Sequence, residues 1–207
     1  MVELAPPLVV IALELEGQGL FERAEVGVLY TGLGKVNAAL SLARKLATLR
    51  ARNALPKLVV NFGTAGSRTF ATGSVVACRK FVQRDMDVTG LGFALGETPF
   101  EAMPATLSVP AVFSHLPEGV CGTGDRFETG VAGLACDVID MEAYALAKVC
   151  LTEAVPFACA KYISDGADAT AADDWQASLP KAAAAFFALY RELESRALGF
   201  FDFEAER

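Results

Sequence analysis

Histidine occurs once in the 207 residues, as His115, and tryptophan also occurs once. A lone imidazole, set in the Pro-flanked segment VPAVFSHLPEG, argues against histidine-built metal sites and Ser-His catalysis. The five cysteines (Cys78, Cys121, Cys136, Cys150, Cys159) show no CxxC or CxxxC spacing. An odd, scattered set points to reduced thiols acting as small core residues, not to disulfides or zinc. No apolar run reaches the ~20 uncharged residues that a membrane-spanning helix needs. The longest candidates, Leu8–Leu13 and Ala154–Ala160, are cut short by acids, Pro156 or Lys161. Basic clusters are missing beyond CRKF at Cys78–Phe81, and the net charge is −7. Binding to nucleic acid through phosphate neutralisation is therefore disfavoured. The N-terminal MVELAPPLVV carries no basic leader, so the expected compartment is the cytoplasm. Neither GxGxxG nor GxxxxGK[ST] occurs, which removes the dinucleotide and P-loop readings.

What is present is apolar and regularly punctuated. Hydrophobic residues make up 53% of the chain, and the mean hydropathy is +0.37. The chain has no linker, repeat or composition break, so a single domain over residues 1–207 is expected. LVVIALELEG (8–17) reads as a strand running into a loop at its acids, and AEVGVLYTGLG (24–34) as a strand ending in glycines. Residues 35–52 have helical spacing with a basic C-terminal half, which suits the helix dipole. KLVVNFGTAGS (57–67), GSVVACRKFV (73–82) and PFACAKYIS (156–164) read as strands, and VCGTGDRFETG (120–130) as a strand end and loop. DMEAYALAKVCLTEA (140–154) reads as a helix, and residues 173–198 as a closing helix with Pro180 as a kink or restart point. Alternating apolar strands and helices predict an α/β fold: a central twisted, mostly parallel (mixed) sheet flanked by helices. Ligands of such sheets bind where strands end in loops.

With histidine nearly absent, the chemistry falls to carboxylates at those strand ends. Glu14 and Glu16 follow the first strand, as solvated loop acids or as a general base for water. The turns GLGK (32–35) and GTAG (63–66) present backbone N–H groups or simply reverse the chain. Asp140 suits an N-cap, whereas Glu142 falls in a stretch that should face the sheet, where a carboxylate could accept two hydrogen bonds from vicinal hydroxyls. Asp165, in KYISDGAD, either caps the next loop or, kept from water, holds a proton to donate.

The order ALELEG, GLGKVNAAL, VVNFGTAG, RDMDVTGLGFALGETP, TGDRF, DMEAYALAKVC and VPFACAKYISDGAD resembles the purine nucleoside phosphorylase/nucleosidase superfamily from about residue 8 to 198. Within it the pattern is most similar to 5′-methylthioadenosine/S-adenosylhomocysteine nucleosidases. The resemblance implies a nucleoside phosphorylase-like fold, cleavage of an N-glycosidic bond, no metal or organic cofactor, a small nucleoside substrate and a homodimer. It implies Glu16 as the base for the attacking water and Asp165 as the acid that protonates purine N7 and bonds the exocyclic amine. Glu142 would bind the ribose hydroxyls with Met141 along the sugar, Phe127 would stack on the base, and Thr64 would sit near sugar and water.

A phosphorylase would hold its anion with arginines near the first Gly-rich loop and before the GTAG-like turn. Here VVNF precedes that turn, and the cations to weigh are Arg23 and Arg68. The chain departs from the family pattern at Leu13, at Arg84 before DMDVT, at Glu128, in the short segment from Glu128 to Asp140, and after Asp168. The alternatives are a hydrolase of another modified adenosine such as futalosine, a phosphate-dependent phosphorylase, or a non-catalytic nucleoside-binding or storage relative.

Overall fold

Strands β3 (Val59–Gly66) and β8 (Phe157–Asp165) run parallel through the centre of the molecule, and all nine residues of β8 are buried. Burial on both faces explains why these segments are mostly apolar with no regular polar alternation, the exceptions before the strand ends being the buried Asn61 and Lys161. The structure is a computed structural model and describes residues 6–126, 133–167 and 171–202. The other described strands are β1 (Leu8–Ile11), β2 (Val28–Tyr30), β4 (Val75–Gln83), β5 (Thr106–Ser108), β6 (Glu118–Thr123) and β7 (Val138–Asp140). The described helices are α1 (Glu14–Gly17), α2 (Leu20–Arg23), α3 (Lys35–Ala51), α4 (Ala143–Thr152) and α5 (Ala171–Asp202).

The sheet is mixed, as expected, and it curls shut. β8 joins β3 in parallel and β4 antiparallel; β4 continues in parallel to β6, and β6 to β7. β7 then returns antiparallel to β3 at Gly66 and Ile139, completing a ring. β1 and β2 extend the sheet outward from β3, and β5 borders β4.

Side chains of successive strand residues feed two cores. Val10 and Val59 join one that takes in α3 and α4 through Leu42, Leu46 and Leu146. Val9, Ile11, Val60 and Phe62 join the other, beneath α5. There Phe62 stacks between Phe21 (ring centroids 6.2 Å apart) and Phe186 (5.5 Å). Each such buried ring contributes on the order of 2–3 kcal/mol of transfer free energy.

Three local expectations change. Glu14 and Glu16 lie in the helical turn α1, not in a loop. Asp140 ends β7, and α4 begins at Ala143 with Glu142 as the residue before it. The closing helix runs from Ala171 to Asp202 with no restart at Pro180. Among the described residues, no helix is long and apolar enough to cross a membrane.

Candidate active site

The ends of β1, β3, β7 and β8 surround a cavity of about 210 Å³. Glu16, Thr64, Met141, Glu142 and Asp165 all line it, although they come from four separate stretches of the chain. Phe127, Glu128 and Asp168 lie outside the described residues.

Glu16 is turned inward by α1. A single helical turn after β1 leaves Glu14 and Leu15 exposed and sends the Glu16 side chain to 4% exposure. One carboxylate oxygen, Oε1, accepts the Thr64 N–H at 2.8 Å and the Thr64 hydroxyl at 2.7 Å. The other, Oε2, accepts, among the described residues, only the Leu13 N–H, at 3.2 Å. A buried acid held by three donors is the opposite of a solvated loop residue.

Asp165 owes its direction to an irregularity in β8. The register with β3 slips between Ala65 and Gly66, which pair with Ile163 and Asp165, so that Ser164 is the extra residue. A bulge of this kind re-aims the side chain that follows it. Asp165 is 4% exposed, accepts the Ser164 hydroxyl at 2.7 Å and takes the Ala167 N–H at 2.9 Å. The Ala167 bond is the loop cap expected from sequence, and the same carboxyl faces the cavity. Gly66 permits this closeness, since a Cβ there would stand 2.8 Å from Asp165 Oδ1.

Glu142 reaches the Gly-rich loop before α3, where its Oε1 accepts the Gly34 N–H at 2.8 Å. Asp125 accepts the next amide, Lys35 N–H, also at 2.8 Å. The positive end of a 17-residue helix is thus met by two side-chain carboxyl groups. Burial, aided by the nearby charges of Asp140 and Glu16, pushes the Glu142 carboxyl up from 4.5 to about 7.

This shift predicts a pH signature. Folded protein keeps Glu142 protonated up to about pH 7, whereas the unfolded chain ionises near the ordinary value. The associated stability is complete below about pH 4.5 and is lost as pH rises through about 7. Glu142→Gln, which never ionises, should gain on the wild type by roughly 2–3 kcal/mol between pH 5 and 8. Denaturant titrations at the two pH values measure this gap, and a gap that does not widen with pH would refute the shift.

Beside the cavity, which Asp140 helps to line, Lys161 of β8 donates to Asp140 at 2.8 Å, with both side chains at 2% exposure or less. Burial works against both charges, yet their mutual attraction holds Asp140 below and Lys161 above the usual range. Asp140 also accepts the Thr123 hydroxyl (2.6 Å) and the Ala143 N–H (2.8 Å), so its capping role is one bond of several. Lys161 was detectable in sequence only as a lysine inside an otherwise apolar strand.

With this geometry established, comparison with known proteins decides the lineage. The family model described as "Phosphorylase superfamily" matches residues 18–193. The chain belongs to the phosphorylase superfamily. A relative from Marinomonas sp. (strain MWYL1), a 5′-methylthioadenosine/S-adenosylhomocysteine nucleosidase, is 33% identical over 170 residues, 71% of each chain. A nucleosidase of the same name from Geobacillus sp. (strain WCH70) is 33% identical over 171 residues, 71% of this chain and 70% of that one. Among solved structures, the nucleosidase of Neisseria meningitidis in complex with methylthio-immucillin-A has a TM-score of 0.70 at 26% identity, covering 87% of this chain and 94% of that one. The futalosine hydrolase of Helicobacter pylori has the same fold, with a TM-score of 0.75 at 21% identity, covering 91% of this chain and 98% of that one.

Against this superfamily, the arginines weighed for phosphate can be placed. Arg23 donates to the Gln18 carbonyl (3.1 Å) and Arg68 to the Ala167 carbonyl (3.1 Å). Neither lines the cavity; the arginines that do are Arg84 and Arg126. Arg84 is buried and donates to the main-chain oxygens of Gly124 and Arg126, so it braces the loop that follows β6. Trp175 also lines the cavity, and the sequence offered only its rarity as a sign.

Proposed function

We propose that the protein is a purine nucleosidase that hydrolyses a 5′-substituted adenosine, methylthioadenosine or S-adenosylhomocysteine, to adenine and the ribose derivative. The observation that carries this reading is the convergence of three buried carboxyl groups, Glu16, Glu142 and Asp165, on one cavity from three unconnected elements. The names of its relatives in the superfamily agree with it.

Each carboxyl group has a separate task. Asp165 delivers a proton to purine N7 as the C1′–N9 bond breaks, so the bonding pair leaves on a neutral adenine. Glu16 takes a proton from the water that adds to the oxocarbenium-like C1′, which gives the sugar its new hydroxyl. Glu142 accepts hydrogen bonds from the 2′ and 3′ hydroxyls, beside Met141. Thr64 holds the base, and Phe127 stacks on the purine. No step calls for a metal or organic cofactor.

The protein acts as a homodimer in the cytoplasm on this reading. Leu33, Val36, Leu40, Leu91 and Phe100 are each more than half exposed, an apolar set that a second subunit would cover. A futalosine-type substrate is the second reading, favoured by the fold shared with futalosine hydrolase.

Incubation with methylthioadenosine, S-adenosylhomocysteine, adenosine, inosine and futalosine, with and without phosphate, tests the assignment by free base released. Adenine release independent of phosphate is expected. Release that requires phosphate would make it a phosphorylase, and no release from any substrate would end the enzymatic reading.

A further inference from the structure

Glu16 and Thr64 have a third partner, contributed by the last helix. Trp175 lies near the start of α5, is half-buried, and is the chain's sole tryptophan. Its indole Nε1–H donates to Thr64 Oγ1 at 2.8 Å. An indole N–H can only donate, and a threonine hydroxyl has one proton to give. With Trp175 on one lone pair, the Thr64 proton is committed to Glu16 Oε1 at 2.7 Å.

The geometry points to Trp175 as a positioning residue for the water-activating base: it fixes the Thr64 hydroxyl, which saturates one oxygen of Glu16 and leaves the other to meet water. This rests on the nucleosidase reading above. Oε1 receives both Thr64 donors, while Oε2 has the single longer bond to Leu13 N–H. Basicity toward a cavity water is therefore concentrated on Oε2. A donor on Thr64 Oγ1 also polarises its O–H, and linked hydrogen bonds strengthen one another by perhaps ~10–30% each. Without the indole, solvent water could take that lone pair, and the hydroxyl would be released to rotate.

The arrangement has a second consequence. Thr64 pairs with Tyr162 of β8, three residues before Asp165, and α5 follows β8 in the chain. The Trp175–Thr64 bond therefore ties the first turns of α5 back to β3, on the side where the base sits. A phenylalanine at 175 would keep an aromatic wall but lose this tie.

The test is a double-mutant cycle read as adenine release. Trp175→Phe should lower kcat about 10-fold with KM within about 2-fold, the pattern of a lost transition-state interaction. The same substitution in a Thr64→Ser background, where the hydroxyl remains, should cost about as much, and in Thr64→Val it should cost nothing further. Emission from the sole tryptophan should shift in Thr64→Val but not in Thr64→Ser. If Trp175→Phe folds poorly, 3-benzothienylalanine at 175 keeps the ring's shape without the N–H and should give the same kcat loss. Multiplicative losses with Thr64→Val, an effect confined to KM, or unchanged emission would each overturn the inference. An active wild type with any of these outcomes removes only the role of Trp175, whereas an inactive wild type removes the nucleosidase reading and this inference with it.

Discussion

Asp165→Asn is expected to lower turnover about 1000-fold while leaving KM for a 5′-substituted adenosine nearly unchanged. The reason is that asparagine can reproduce the hydrogen bonds and not the proton. Its oxygen can still accept the Ala167 N–H, and its amide can donate to the Ser164 hydroxyl in place of the bond now accepted by Asp165. The bulge at Ser164 and the register of β8 should therefore persist. What disappears is the acid proposed to neutralise the departing purine, and general acid catalysis is worth about 10²–10⁴-fold. Single-turnover adenine release, with ligand binding measured separately, distinguishes this from a folding defect. Turnover within about tenfold of the wild type would remove Asp165 from the acid role.

Lys161→Met is expected to cost about 3–5 kcal/mol of folding stability. Methionine fills much of the same space, so the loss is electrostatic: Asp140 is left as a buried charge whose donors among the described residues are the Thr123 hydroxyl and the Ala143 N–H. In the wild type the pair holds the Asp140 carboxyl below its ordinary value, so its contribution is present above that value and lost as pH falls through the lowered one. In the variant the carboxyl can shed its charge only by taking a proton. The deficit should be largest near neutral pH and shrink in acid. Adding Asp140→Asn to Lys161→Met should recover part of the loss, because it removes the orphaned charge. Denaturant unfolding of the two variants decides the matter; a stable Lys161→Met protein would mean that Asp140 finds water or another donor. Glycine at 63 belongs to the same arrangement, since a Cβ there would stand 3.0 Å from Lys161 Nζ and 3.7 Å from Glu16 Oε1.

Much of this site was legible in one dimension. Glu16, Glu142 and Asp165 each follow an apolar strand or precede a helix, and the quoted motifs singled out the same three. Thr64 and Met141 came with them, and all five line the cavity. Other features had no local signature. Lys161 looked like the residue that ends an apolar run, because its partner Asp140 lies 21 positions away in sequence and meets it only across the curled sheet. Trp175 lies 111 positions from Thr64, so only the return of α5 onto β3 reveals its bond. The helical turn at Glu14–Gly17 leaves no periodic signal in the sequence, because four residues are too few for one.

By itself, the sequence determined the α/β layering, because doubly buried strands are predominantly apolar and the helices between them are not. It also determined which residue types could carry chemistry, since one histidine and no clustered ligands leave carboxylates. The tertiary structure alone decided how those carboxylates are held. Closing the sheet through β3, β8, β4, β6 and β7 brings side chains from distant segments within hydrogen-bond reach, and at that range desolvation and paired charges set which acid keeps its proton.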